Sequence, residues 1–332
     1  MPTGSRPVQA LRTAREIGCE TAQVFLTNPR AWRAPGPDPI AEEAFRRAAE
    51  ENALAPIVVH ATYLINLAAP RDDIYENSVT LLRATLERAA RYGASSVVFH
   101  IGSHVGAGEE AGIERLTSGI RRVLDGTPES VLLLLENDTG GGGKLGYRFE
   151  NLATVLDLLS EHRDRLGVCL DTAHLWGAGF DIGTAEGAAA TLADADRILG
   201  LRRVPVLHLN DTPKGLGSHL DNHARLGEGV IPAEGMRALL RSPLLGHTSA
   251  ILETPIAEVK PGEPDWDADR AHLHLAKRMA GLAPEAEEAA PAPDPRLPHP
   301  LPASPVRRRG GTTSVGRVAG SPSLRGGKGQ GG

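Results

Sequence analysis

The sequence predicts an α/β fold, a (β/α)8 TIM barrel that lacks its first strand within this sequence. Three observations predict it. Short apolar runs recur about every 30 to 45 residues, amphipathic segments of helical length separate them, and polar side chains recur at the ends of the runs. No Gly-rich turn follows an early strand, so a doubly wound nucleotide-binding fold is disfavoured.

The chain opens in a helix, expected at Pro7–Ile17, and the first strand therefore belongs upstream of it or the barrel is open. A start codon assigned too late is the simpler explanation. The runs that follow are Thr21–Leu26, Pro56–Ala61, Ser95–Ile101, Val131–Asn137, Leu166–Thr172, Val204–Asp211 and Ala250–Pro255. Each is nearly continuous in apolar residues, as a parallel strand covered on both faces must be. Between them, Asp73–Tyr92 carries a Leu81/Leu82/Leu86 stripe, and Phe149–His162 carries Leu152, Val155, Leu156 and Leu159. Such stripes pack helices onto a sheet.

Composition separates a barrel domain at 1–282 from a tail at 283–332. The tail is rich in Pro, Ala, Gly and Arg and has few large apolar residues, so it cannot offset its ordering entropy and is read as disordered. Formal net charge is −5, and the tail's seven basic against four acidic side chains leave the first 282 residues at −8. That balance argues against a generic polyanion binder unless bound cations supply the missing charge. The two cysteines, Cys19 and Cys169, fit small core residues of a reducing, cytoplasmic compartment. No stretch approaches the roughly 20 apolar residues of a membrane span, which predicts a soluble protein.

The chemistry lies at the strand ends. The runs end on His60, His100, Glu136, Asp171, His208 and Glu253. In a parallel barrel those ends meet at one mouth, where active sites of this fold lie. One His or Glu after an apolar run is an ordinary strand end meeting solvent; the same event in six consecutive strands points to a site. Carboxylates gathered there would repel each other unless a cation lay among them, and mixed imidazole and carboxylate ligands suit zinc or manganese. His174 follows Asp171 by three residues, and Asp221-Asn-His223 lies in the loop after His208, extending the metal set.

These segments resemble the endonuclease IV family (AP endonuclease family 2). The resemblance is carried by His60-Ala-Thr-Tyr-Leu-Ile-Asn-Leu67, His100-Ile-Gly-Ser-His104, Glu136-Asn-Asp-Thr-Gly140, Asp171-Thr-Ala-His174, His208-Leu-Asn-Asp211, Asp221-Asn-His223 and Glu253-Thr-Pro255. It covers about residues 8 to 280. It implies three Zn2+ ions, with Mn2+ the alternative at one or more sites. His60, His100 and Glu136 would hold one metal, with Glu136 bridging to a second completed by Asp171, His208 and Glu253; His174, Asp221 and His223 would hold the third. It implies a base-excision-repair hydrolase that cuts 5′ to abasic sites in double-stranded DNA and removes 3′ blocking groups. The nucleophile would be a metal-activated water placed by Glu136 and Glu253, with no protein nucleophile.

Arg30, in Asn28-Pro-Arg30-Ala-Trp32-Arg33, and Tyr63-Leu64 are the DNA contacts that the resemblance suggests. It also suggests a cytoplasmic, nucleoid-associated monomer. The sequence departs from the family pattern in three places: no Gly-x-His strand precedes the first helix, Ile101 replaces a Pro, and Asn222 stands where an Arg is common. Two other readings remain: a metal-dependent sugar isomerase or epimerase on the same barrel, and an inactive, truncated barrel that only binds DNA or metal. Arg307-Arg-Arg309 in the tail could add sequence-independent phosphate attraction.

Overall fold

The computed structural model describes residues 7–253, 257–260 and 263–283. The tail, its Arg307–Arg309 cluster and the last part of the Ala250–Pro255 run lie outside them. Helix α1 (Pro7–Glu16) leads into β1 (Ala22–Val24), and α2 (Pro39–Glu51) into β2 (Ile57–His60). The rhythm continues with α3 (Asp72–Arg91), β3 (Ser96–His100), α4 (Glu109–Leu124), β4 (Leu132–Glu136) and α5 (Phe149–Leu158). Then come β5 (Leu166–Asp171), α6 (Thr172–Ala178), α7 (Ala185–Leu199), β6 (Val206–His208), α8 (Ala233–Leu240) and β7 (Ser249–Ile251). A two-stranded antiparallel hairpin, β8 (Glu258–Lys260) with β9 (Glu263–Pro264), precedes α9 (Trp266–Met279).

Strands β1 to β7 pair in sequence order, all parallel, as a TIM barrel lacking one strand. Among the described residues β1 and β7 are not hydrogen-bonded to each other. A cavity of about 1190 Å³ lies on that side, lined by Ala22, Leu207, Leu209, Ile251, Leu273 and Ala276 among others. Ala250 of β7 is exposed there, unlike the middle residues of the other barrel strands. On the edge away from β6 no strand among the described residues pairs with β7.

The observed strands are shorter than the apolar runs. Thr172, expected to end a strand, instead begins α6, because the Asp171 side chain accepts the His174 N–H and caps that helix. The Phe149–His162 helix stops at Leu158, and a 3-10 turn at Ser160–Arg165 carries the chain down to β5.

Alternation builds the interior. Val58, Val98, Leu134, Cys169, Val206 and Ile251 form one inward layer across β2 to β7. Residues two positions further along each strand face the same way. Those positions are His60, His100, Glu136, Asp171, His208 and Glu253, so the apolar layer is the floor of the polar mouth. The larger core lies outside the barrel, where the other strand faces meet Leu11, Phe45, Leu82, Leu116, Leu152 and Leu239 of the helices. Cys169 is buried, and Cys19 is partly buried, packed against the edge of the core. No helix among the described residues is long and apolar enough to cross a membrane.

Two side chains hold the loops above the mouth. Buried Arg88 donates to the carbonyls of Leu26 (2.8 Å) and Gly36 (3.2 Å) and to the Tyr92 hydroxyl (2.9 Å), pinning both ends of the segment that carries Arg30. His272 of α9 accepts the Leu226 N–H at 2.8 Å, which requires an unprotonated ring nitrogen. Burial first, and then the Arg225 charge, push this imidazole down to about 4. Between pH 6.5 and 4 the unfolded chain binds a proton that the folded protein refuses. The contribution is therefore complete above about pH 6.5 and is lost as pH falls towards 4, to the extent of roughly 2–3 kcal/mol. His272→Gln retains an acceptor and should flatten that part of a Tm-against-pH curve. Superimposable curves for the two proteins would refute it.

Candidate metal centre

Three groups that could each hold a metal ion, candidate ligand sets, form at the mouth, each with its atoms within 4.8 Å of one another: His60, His100 and Glu136; Glu136, Asp171, His208 and Glu253; and Asp171, His174 and His223. Register explains the first contacts, because His100 pairs with Glu136 and Asp171 with His208 across adjacent strands. Glu136 Oε2 lies 3.2 Å from His60 Nε2 and 3.5 Å from His100 Nε2, while its Oε1 lies 2.8 Å from His208 Nδ1. Glu253 Oε2 is 2.9 Å from the same His208 nitrogen. Glu136 thus belongs to two sets at once.

Asp171 repeats the pattern. Its Oδ2 lies 3.9 Å from His208 Nδ1 and 3.5 Å from His223 Nε2, so it joins the second set to the third. The sequence reading placed Asp171 in the second set alone. Asp221 Oδ1, more exposed, stands 3.3 Å from His174 Nε2 and 3.5 Å from His223 Nε2, beside the third set rather than within its tightest grouping. All nine expected residues therefore meet at one mouth.

The electrostatics favour a cation. Burial works to raise the Glu136 carboxyl, yet the His100 and His208 imidazoles hold it well below its usual range. Glu253 behaves alike: burial raises it, and His208 brings it to about 2. Burial would lower His174, but the charge of Asp171 and its bond to Asp221 raise it well above its ordinary value. Protons on imidazoles thus balance ionised carboxylates, and divalent metals would displace those protons. His174 Nε2 and His223 Nε2 are buried and face the Asp171 and Asp221 carboxylates at 3.3 to 3.5 Å without a well-aligned hydrogen bond, a placement that suits metal-ligating nitrogens.

The far sides of four of the rings are held as metal-ligating histidines require. His60 Nδ1 donates to Ala61 O (2.7 Å) and His174 Nδ1 to Asn137 O (2.8 Å), leaving Nε2 of each for the site. His208 is reversed: Nε2 meets Gln23 Oε1 at 2.9 Å and Nδ1 faces the site. His100 Nδ1 lies 3.5 Å from buried Asp138, which Lys144 Nζ approaches at 3.1 Å. Asn210 donates to Asp171 Oδ2 (2.6 Å) and accepts the Glu253 N–H (2.9 Å).

Gln23, Asp138 and Lys144 escaped the sequence reading, although a Gln inside an apolar run and an Asp two residues past Glu136 were the available signals. So did the organising role of Asp211. Its buried carboxylate accepts from the N–H groups of Thr212 (2.8 Å), Gly227 (3.0 Å), Gly229 (3.1 Å) and Ile231 (3.1 Å), folding the loop that presents Asp221 and His223. A side chain at Gly229 would collide with this carboxylate.

The expected DNA contacts ring the first set. Tyr63 is 57% exposed, and its ring centroid lies 5.6 Å from that of His60 and 6.0 Å from that of His100. Leu64 is half-buried and Arg30 exposed, and Tyr63 N donates to Pro29 O (3.2 Å), which ties the two loops together. Trp32 and Asn222 are also exposed.

Residues 11–277 match a family model described as a xylose isomerase-like TIM barrel. A probable endonuclease 4 from Solibacter usitatus is 43% identical over 281 residues, covering 84% of this chain and 94% of that protein. This chain belongs to the endonuclease IV family. The crystal structure of endonuclease IV from Thermus thermophilus superposes with a TM-score of 0.74 at 36% identity, covering 85% of this chain and 98% of that one. D-psicose 3-epimerase from Clostridium cellulolyticum gives a TM-score of 0.62 over 84% of this chain and 95% of its own. At 13% identity that likeness is one of fold alone.

In this endonuclease IV family member the Asp211 hub predicts a selective defect. Asp211→Ala should cost about 2 kcal/mol in a urea titration, since several N–H groups lose a charged acceptor. It should also lower the divalent-metal content, measured after gel filtration. Full metal retention would mean that the Asp221–His223 loop holds its shape without Asp211.

Proposed function

We propose that the chain is a metal-dependent AP endonuclease of the deoxyribonuclease IV type. It hydrolyses the phosphodiester 5′ to an abasic site in double-stranded DNA, leaving a 3′-hydroxyl and a 5′-deoxyribose phosphate, and removes 3′ blocking groups. The observation that carries this reading is the linked series of three ligand sets, joined through Glu136 and Asp171. Sugar isomerisation on this barrel needs one or two cations and an acid–base pair, so a third set is superfluous to it. The names of the endonuclease 4 relatives point the same way.

Mixed imidazole and carboxylate sets suit Zn2+, with Mn2+ the alternative. Bound, such cations supply the charge and the water activation that phosphodiester hydrolysis requires. The protein's part is placement. Glu136 and Asp171 fix the spacing between neighbouring sites, and Glu253 closes the second set with its carboxylate ionised. Partial burial, then the Glu253 and Glu136 charges, push the Tyr63 phenol up to about 12. Tyr63 and Leu64 would wedge into the duplex where a base is already missing, at the least unstacking cost. Arg30 and Lys144 offer cations to the phosphates. Burial pushes the Cys169 thiol up to about 12, which removes it as a nucleophile. The enzyme would act as a cytoplasmic monomer, associated with the nucleoid when on DNA.

The deciding assay is incision of a duplex carrying one abasic site, beside an intact duplex, before and after chelation. Cleavage 5′ to the lesion that leaves a 3′-hydroxyl and disappears on metal removal is expected. The pair Asp221→Asn and His223→Gln should lower incision at least about a hundredfold, from loss of charge stabilisation. Unchanged incision by that double variant would sink the trinuclear mechanism. A folded, metal-loaded protein that leaves abasic DNA intact would favour the epimerase reading or an inactive barrel.

A further inference from the structure

Strand β1 contributes to the barrel interior differently from its neighbours. The layer beneath the mouth is apolar on β2 to β7. Gln23 is the register partner of Val58, the β2 member of that layer, and is 7% exposed. A primary amide thus occupies a position where the other strands place hydrocarbon or a thiol. Burying it costs free energy unless its oxygen and nitrogen are both satisfied.

Among its partners are two members of the second ligand set. Gln23 Nε2 donates to Glu253 Oε1 at 2.5 Å, and Gln23 Oε1 faces His208 Nε2 at 2.9 Å. The directions enforce each other. An ionised carboxylate only accepts, so the amide nitrogen must point to Glu253, and the remaining amide oxygen then requires a proton on His208 Nε2. With that nitrogen protonated, His208 is left with Nδ1 for the site, 2.8 Å from Glu136 and 2.9 Å from Glu253. Glu253 also needs a fixed partner, since it stands two residues beyond β7 and is 17% exposed.

We propose that Gln23 is a positioning residue for the second ligand set: it fixes His208 as an Nδ1 ligand and holds the Glu253 carboxylate. It does so across the side of the barrel where β1 and β7 share no strand pairing among the described residues. The backbone register that aligns the other strand ends is absent there, and one side chain supplies the alignment. This rests on reading the three sets as metal sites, not on the identity of the substrate.

Two measurements test it on the full chain. In wild-type protein loaded with 113Cd2+, nitrogen NMR of the His208 ring should show metal coupling at Nδ1 and a proton on Nε2. Coupling at Nε2 overturns the proposal, whatever any variant does. Gln23→Met, near-isosteric and without either hydrogen bond, should weaken one Zn2+ equivalent 10- to 100-fold in chelator competition and leave the others unchanged, the range found when outer partners of metal ligands are removed. Its kcat on abasic duplex should fall more than its KM changes. A Gln23→Met protein with wild-type far-ultraviolet circular dichroism and wild-type affinity at every equivalent overturns the positioning role. Wild-type protein that takes up no divalent metal overturns instead the reading beneath it.

Discussion

An ionised carboxylate buried at a barrel mouth must be surrounded by positive charge, and Glu136 sets that demand here. It is 1% exposed, and imidazoles of His60, His100 and His208 lie within 3.5 Å of its oxygens. Those rings reach it because β2, β3 and β6 deliver their last inward side chains to the same height. That height is fixed in turn by the packed layer running from Val58 to Ile251 beneath. The apolar floor and the polar mouth are thus consecutive layers of a single alternation.

Around this centre, several polar side chains each serve two structures at once. Asp171 caps α6 and faces both the second and third sets. Capping aims one of its oxygens at the His174 N–H and so leaves the other for the site. Asp211 spends both oxygens on backbone N–H groups, and the loop it folds delivers Asp221 and His223. Arg88 binds neutral carbonyls and a phenol, so its burial is offset by hydrogen bonding rather than by a direct carboxylate contact. Positioning by shared polar groups makes the mouth stiff but also interdependent, because removing one group unsettles two elements.

Much of this was legible in the linear chain. Continuous apolar runs spaced by amphipathic segments specify a parallel barrel, and a polar residue closing each run specifies where the chemistry lies. His60, His100, Glu136, Asp171, His208 and Glu253 were readable because strand alternation is a local rule. Gln23 was not, because an isolated amide in an apolar run carries no sign of the residues it will meet 185 and 230 positions away. The same holds for Lys144, whose approach to Asp138 and Asp221 depends on the path of the Gly140–Gly143 turn.

The linear chain carried the fold class, the order of the strands, the residue types gathered at the mouth and the family resemblance. These follow from short-range periodicity and from motifs only a few residues long. Tertiary structure alone decided that Asp171 joins the second and third sets, that Asp221 stands beside the third, and that His208 turns Nδ1 to the site while His60 and His174 turn Nε2. Those outcomes depend on distances of a few ångströms between segments far apart in the chain. Strand twist, loop path and helix caps set such distances, and no local pattern encodes them.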